Sequence, residues 1–295
     1  MSSKSAVVHR TPWAERARGY LALARISNSP TVVSNTLAGA ALAGALRPDG
    51  QVVAVAVAMV LFYTAGMYLN DLCDYTIDRL RQPQRPLPSG VVSRTEAAIA
   101  VVALFGIGSA LLWSAGPATF RSGLVLIAVI VVYDLWHKTN PLSPLLMAAA
   151  RALVYITAGL AVAGTLTNQL LLWAGLLFAY IVGLTAIAKA EAGSGLAGYW
   201  PAALLALPAV AFVAETPDPA SWLLLALFAG WAAYAASFVY RADRRSIGRA
   251  VGYLIAGIAL LDALALAVVG SVIGVALALV AWGTTLFLQR YIKGT

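Results

Sequence analysis

The chain has 295 residues, 61% of them hydrophobic and 11% charged, with a formal net charge of +8. A soluble domain carries about 25% charged residues; the deficit here runs along the whole length, so most of the chain must face lipid or a lipid-buried core. A single cysteine, Cys73, excludes an intrachain disulfide and paired-cysteine metal sites, and two histidines are too few for a histidine-based zinc site.

Residues 1–25 are polar and Arg-rich, without the apolar core of a cleavable signal peptide. Trp13, Tyr20, Leu21 and Leu23 suit a short helix lying on the membrane surface; a frayed tail fits them equally. A spanning helix needs about 20 largely apolar residues. Candidate spans lie at 26–46, 52–70, 95–115, 119–137, 143–164, 169–189, 199–214, 220–240, 249–269 and 271–290. The 199–214 run is short and the last connection tight. The expected fold is an all-α polytopic transmembrane helical bundle of nine to ten helices, with residues 26–290 forming one domain behind an N-terminal segment, 1–25. With the N-terminus inside, the outer side holds only Arg47 and Arg121 of the 20 lysines and arginines, and Arg151 lies within a span. That bias predicts a cytoplasmic N-terminus in a lipid bilayer, a bacterial inner membrane, and explains the positive charge without nucleic acid. Trp113, Trp173 and Trp222 near outer ends, and Trp136 and Trp200 near inner ends, read as an aromatic belt. The long loops, 70–94 and 189–198, both fall on the inner side, so polar chemistry should face the cytoplasm. No obligate protein partner is evident.

The strongest local signal is Asn70-Asp71-Leu72-Cys73-Asp74-Tyr75-Thr76-Ile77-Asp78. At about 100° per residue, Asp71, Asp74 and Asp78 fall within about 60° of one another on a helix, with Asn70 on the adjoining edge. Like charges on one face repel and stabilise no helix. They suit a hard cation such as Mg²⁺, which takes oxygen ligands and keeps company with substrate phosphates. The next stretch, Arg79-Leu80-Arg81-Gln82-Pro83-Gln84-Arg85-Pro86-Leu87-Pro88-Ser89-Gly90, is a Pro/Gly turn carrying three arginines. Arginine binds phosphate oxygens bidentately. Arg79 and Arg85 are the candidate phosphate contacts; topology alone accounts for Arg81.

Further along, Tyr133, His137 and Lys138 close a span, and Lys138 serves either as a phosphate contact or as an interfacial anchor. Arg151 lies about two turns into its helix, where a charge is costly without a cavity or a partner. It either lines a cavity as a substrate contact or pairs with an acid such as Asp134. Asn35 could line a cavity or bond between helices. Asp262 reads as a helix–helix contact, and Gly39, Ala43, Gly106 and Gly257 as packing positions.

Asn-Asp-x-x-Asp-x-x-x-Asp-Arg followed by Arg-Pro-Leu-Pro-Ser-Gly resembles the first aspartate-rich motif of the UbiA superfamily of intramembrane prenyltransferases. The segment around Tyr133, His137 and Lys138 is similar to that family's fourth helix. The resemblance implies a helical bundle around a lipid-open cavity, Mg²⁺-dependent binding of an isoprenyl diphosphate, and transfer of the prenyl group to a lipophilic or aromatic acceptor. Asp71, Asp74 and Asp78 would bind Mg²⁺ with Asn70 in support, and Arg79, Arg85 and Lys138 would hold the diphosphate. Where the family carries a second acidic motif, this chain reads Thr185-Ala186-Ile187-Ala188-Lys189-Ala190-Glu191-Ala192-Gly193-Ser194-Gly195. Glu191 is the one carboxylate left to complete a metal site, with Lys189 beside it for phosphate. The departure resembles a divergent, EboC-like branch, and it leaves a second reading: a carrier or binding protein for an isoprenoid or secondary-metabolite precursor. The acid spacing of a CDP-alcohol phosphotransferase is not found.

Overall fold

The computed structural model describes residues 13–138, 140–189, 198–215, 218–219 and 221–292. These form eleven α-helices and no strand: α1 (Trp13–Leu23), α2 (Ser29–Leu42), α3 (Gly50–Arg81), α4 (Arg94–Ser114), α5 (Pro117–Trp136), α6 (Ser143–Ala163), α7 (Asn168–Lys189), α8 (Trp200–Ala214), α9 (Ser221–Tyr240), α10 (Ile247–Val268) and α11 (Val272–Tyr291). Each expected span has a helix, and α1 forms where a short N-terminal helix was one expectation. Eight of the helices are long and apolar enough to cross a membrane, and the protein is an integral membrane protein. Of the other three, α1 has 11 residues, and α2 and α8 have 14 and 15, about 21–23 Å at 1.5 Å per residue against a hydrocarbon core of about 30 Å.

Local chemistry sets the helix starts. Asp49 caps α3 by accepting from the Val52 amide at 2.8 Å. Ser93 and Glu96 form a reciprocal capping box at α4. Proline occupies the first turn of α2, α5, α6 and α8, where its missing N–H costs nothing.

Packing explains why α2 can be short. It lies against α3, α6, α10 and α11, and from Thr31 to Leu42 every residue except Val33 is buried. A helix enclosed by protein needs no lipid-facing apolar stripe, so it tolerates Ser34, Asn35 and Thr36. The α10 run Ala256–Leu266 is buried all round for the same reason. Outward apolar residues such as Val102, Leu223 and Val280 are exposed and face lipid. The aromatic belt needs one correction: Trp113, Trp136, Trp200 and Trp222 are exposed, but Trp173 is fully buried. It sits on α7, packed by neighbouring helices into the largest core cluster. Nor is Gly106 a packing position, since a Cβ there would meet open space.

With 32 residues, α3 is about 48 Å long and outruns the hydrocarbon core. The acids therefore lie on a helix, as their spacing expects, and the inner loop expected from residue 70 begins only after Arg81. Beyond it, the 82–93 segment turns at Gly90 (φ +80) and is pinned by Leu87 and Val92, which pack with Leu23, Tyr68, Ala97 and Val101. This small core holds the loop against the end of α3.

Candidate functional site

Asn70, Asp71, Asp74 and Asp78 share the buried face of α3 at 5–9% exposure, while Cys73, Thr76 and Ile77 between them are exposed. Like charges on one face require cations from elsewhere, and three segments supply them. Arg25, between α1 and α2, reaches Asp71 Oδ1 and Asn70 Oδ1, both at 3.3 Å. Its backbone is left-handed (φ 42), a region non-glycine residues seldom occupy and one associated with functional sites. Arg85, from the 82–93 loop, lies 2.8 Å from Asp78 Oδ2 and 3.8 Å from Asp71 Oδ1. Just past the end of α5, Lys138 Nζ lies 2.7 Å from Asp74 Oδ1 and His137 Nε2 3.7 Å from Asp74 Oδ2. The Tyr133 ring stacks on His137.

Asp134 joins the cluster from α5. Its Oδ1 accepts from Asn70 Nδ2 at 3.1 Å, and its Oδ2 is buried without a partner among the described residues. Asp134 also lines a cavity of about 100 Å³ together with Tyr63, Gly66, Ile130, Arg151 and Val154. Arg151 does not pair with Asp134 there; it donates to Asn35 Oδ1 at 2.8 Å and lies over the Tyr63 ring at 5.7 Å. A second, almost wholly apolar groove of about 600 Å³ runs between α2, α3 and α11, with Val53, Val57 and Val280 exposed along it.

Two candidate phosphate contacts have other partners than the motif acids among the described residues. Arg79 is exposed and faces the Tyr75 ring, which it shares with Arg94. Lys189, at the end of α7, donates to the Asn140 carbonyl at 3.1 Å. Glu191 lies outside the described residues. Arg25 carried no motif signal beyond belonging to the N-terminal basic run, and its partner is 46 positions away.

The donor set suits a hard divalent ion. Carboxylate oxygens are its preferred ligands, and the unpartnered Asp134 oxygen is one more. A single cage of all three motif acids is not what α3 builds: Asp71 and Asp78 are seven residues, about 10 Å of helix, apart, against Mg²⁺–O distances of about 2.1 Å. Among the described residues no three His, Cys, Asp or Glu side chains converge on one ion. Mg²⁺ commonly binds through one or two carboxylates and completes its shell with water and substrate phosphates.

A family model described as the UbiA prenyltransferase family matches residues 32–258. The chain is 31% identical over 161 residues to a digeranylgeranylglyceryl phosphate synthase of Natronomonas pharaonis, covering 54% of this chain and 58% of that one. It is 35% identical over 118 residues to the protein of the same name in Ignicoccus hospitalis, covering 40% and 38%. The chain thus spans about half the length of these relatives. Among solved structures, a UbiA homolog from Aeropyrum pernix K1 superposes with a TM-score of 0.69 at 20% identity, covering 81% of this chain and 97% of that one. A UbiA homolog from Archaeoglobus fulgidus bound to GPP and Mg²⁺ gives 0.59 at 16% identity, covering 88% and 99%. At such identities the structures speak for a shared fold.

Proposed function

The chain belongs to the UbiA prenyltransferase family, and on that footing we propose that it is a Mg²⁺-dependent intramembrane prenyltransferase. It moves a prenyl group from an isoprenyl diphosphate to a lipophilic or aromatic acceptor. The observation that carries this reading is the convergence of Arg25, Arg85 and Lys138, from three separate segments, on the buried acids of α3. Structure alone gives little reason to keep such a cluster, because buried ion pairs add little net stability. The Archaeoglobus fulgidus UbiA homolog bound to GPP and Mg²⁺ supports the same ligand pair here.

Asp71, Asp74 and Asp78, with Glu191, are the carboxylates that would hold Mg²⁺, one or two to an ion and not as one cage; when bound, Mg²⁺ would neutralise charge on the departing diphosphate oxygens. Arg25, Arg85 and Lys138, which pair with these aspartates, are the cations that would grip phosphate oxygens. Asn70 keeps Asp134 oriented, and Arg151 contributes from the cavity wall. The apolar lining shields the carbocation-like prenyl group from water. The active site and N-terminus face the cytoplasm, residues 26–290 form the catalytic domain, and 1–25 are an N-terminal segment whose helix α1 (Trp13–Leu23) lies on the membrane surface.

The test is equilibrium binding of geranyl diphosphate to the purified chain with and without Mg²⁺. Asp74→Asn should raise the Kd at least about tenfold, or about 1.4 kcal/mol, with thermal unfolding little changed. Unaltered affinity in that variant would sink the reading. Pyrophosphate release separates enzyme from carrier: a wild-type chain that binds geranyl diphosphate but never releases pyrophosphate is a carrier.

A further inference from the structure

Asp262 stands outside the acid cluster and takes no part in the reaction as read above. It is fully buried on α10. It contacts Ser34 Oγ and Tyr155 Oη, each at 2.5 Å, and Asn35 Nδ2 donates to its two oxygens at 2.8 and 3.0 Å. Asn35 Oδ1 in turn accepts from Arg151 Nη1 at 2.8 Å. The Asn35 amide is thereby fixed in one orientation, its NH₂ toward the acid and its oxygen toward the guanidinium. A chain of three side chains, from α10, α2 and α6, runs from the bundle core to the cavity wall.

Two features separate this relay from a plain ion pair. The charges do not touch, since an amide stands between them. A pair that served only to neutralise itself would gain most from direct bidentate contact. Arg151, moreover, has five N–H donors and makes a single hydrogen bond within the described structure. It does so in the wall of a cavity otherwise lined largely by apolar side chains such as Met59, Phe62, Ile130 and Val154. A cation with unused donors inside a membrane is costly until an anion meets it.

We propose that Asp262, acting through Asn35, positions Arg151 to receive an anionic group, carboxylate or phosphate, on the acceptor substrate. The proposal rests on the prenyltransferase reading and deepens it by giving the acceptor a charge. The diphosphate already has Arg25, Arg85 and Lys138 at the acid cluster, and Arg151 contacts none of the motif acids among the described residues. An acceptor anchored by its anion at Arg151 would present its nucleophile along the cavity toward Asp134 and the cluster, and such orientation lowers the barrier. Asp262 is a positioning residue and does not itself meet substrate.

The test uses the full chain in lipid nanodiscs and equilibrium binding of two probe pairs. One pair is a monoprenylated glyceryl phosphate and the same lipid with a hydroxyl in place of phosphate. The other is 4-hydroxybenzoate and its methyl ester. The wild type should bind the anionic member of one pair at least about tenfold more tightly than its neutral twin, and the pair that responds identifies the source of the anion. Asp262→Asn should cut that preference to about twofold or less while leaving the affinity for the neutral twin in place. A merely structural defect would weaken both members alike. If Asp262→Asn does not fold, the double variant Arg151→Gln/Asp262→Asn removes both charges together, a balanced change that buried pairs tolerate, and should show the same loss. A wild type without preference in either pair, or a preference that survives in these variants, overturns the proposal. The underlying reading fails separately, and visibly, if the wild type does not bind geranyl diphosphate with Mg²⁺.

Discussion

Arg85 serves two acids at once, Asp78 at 2.8 Å and Asp71 at 3.8 Å. Removing one partner of a fully buried pair costs about 3–5 kcal/mol. Arg85 is about one-sixth exposed and Asp71 keeps Arg25, so Arg85→Ala should cost less, about 1–3 kcal/mol, seen as a lower thermal midpoint in detergent. Geranyl diphosphate affinity should fall about tenfold. Arg85→Lys should recover part of the stability but little of the affinity, because an ammonium lacks the two-pronged phosphate grip. Arg79→Ala should change affinity by no more than about twofold, since that side chain is turned to Tyr75; equal losses for Arg79 and Arg85 would contradict this site. The distinction was not legible in the sequence. Both arginines follow the acids in one basic stretch, and only the fold of the 82–93 loop brings one of them back.

At the scale of elements, α2 is enclosed by α3, α6, α10 and α11. Gly39 faces the backbone of Tyr155 on α6, and a Cβ there would overlap the Tyr155 carbonyl and Cα. Backbone cannot move aside as a flexible side chain can. Gly39→Val should therefore destabilise by at least about 1–3 kcal/mol and disturb Asn35, one turn away in the relay to Arg151. Gly106→Ala on α4 meets open space and should be neutral or stabilising by up to about 1 kcal/mol through helix propensity. Thermal unfolding of the two variants side by side checks the contrast; similar midpoints would mean that α2 and α6 are less closely apposed than described. Small residues on a helix are visible in sequence, but which of them meets a neighbour depends on how each helix is rotated in the bundle.

Across the whole molecule the orientation is the testable property. Cys73 is exposed on the stretch of α3 that carries the acid cluster, and it is the chain's one cysteine. A membrane-impermeant maleimide should label it in inside-out vesicles and leave it unlabelled in intact cells. Rapid labelling from outside would reverse the topology and move the acid cluster to the other face.

The sequence by itself determined what is periodic and local. Apolar run length located every spanning segment, because the bilayer imposes it, and spacings of three and four placed Asp71, Asp74 and Asp78 on one side of a helix. The tertiary structure alone decided which groups face those acids. Arg25 meets Asp71 across 46 positions, Asn70 meets Asp134 across 64, and Asn35 meets Asp262 across 227. Such pairings arise from helix rotation, crossing and loop path, which no periodicity within a single segment records. The same reason accounts for Trp173, whose place near a helix end suggested the membrane interface until neighbouring helices were seen to enclose it.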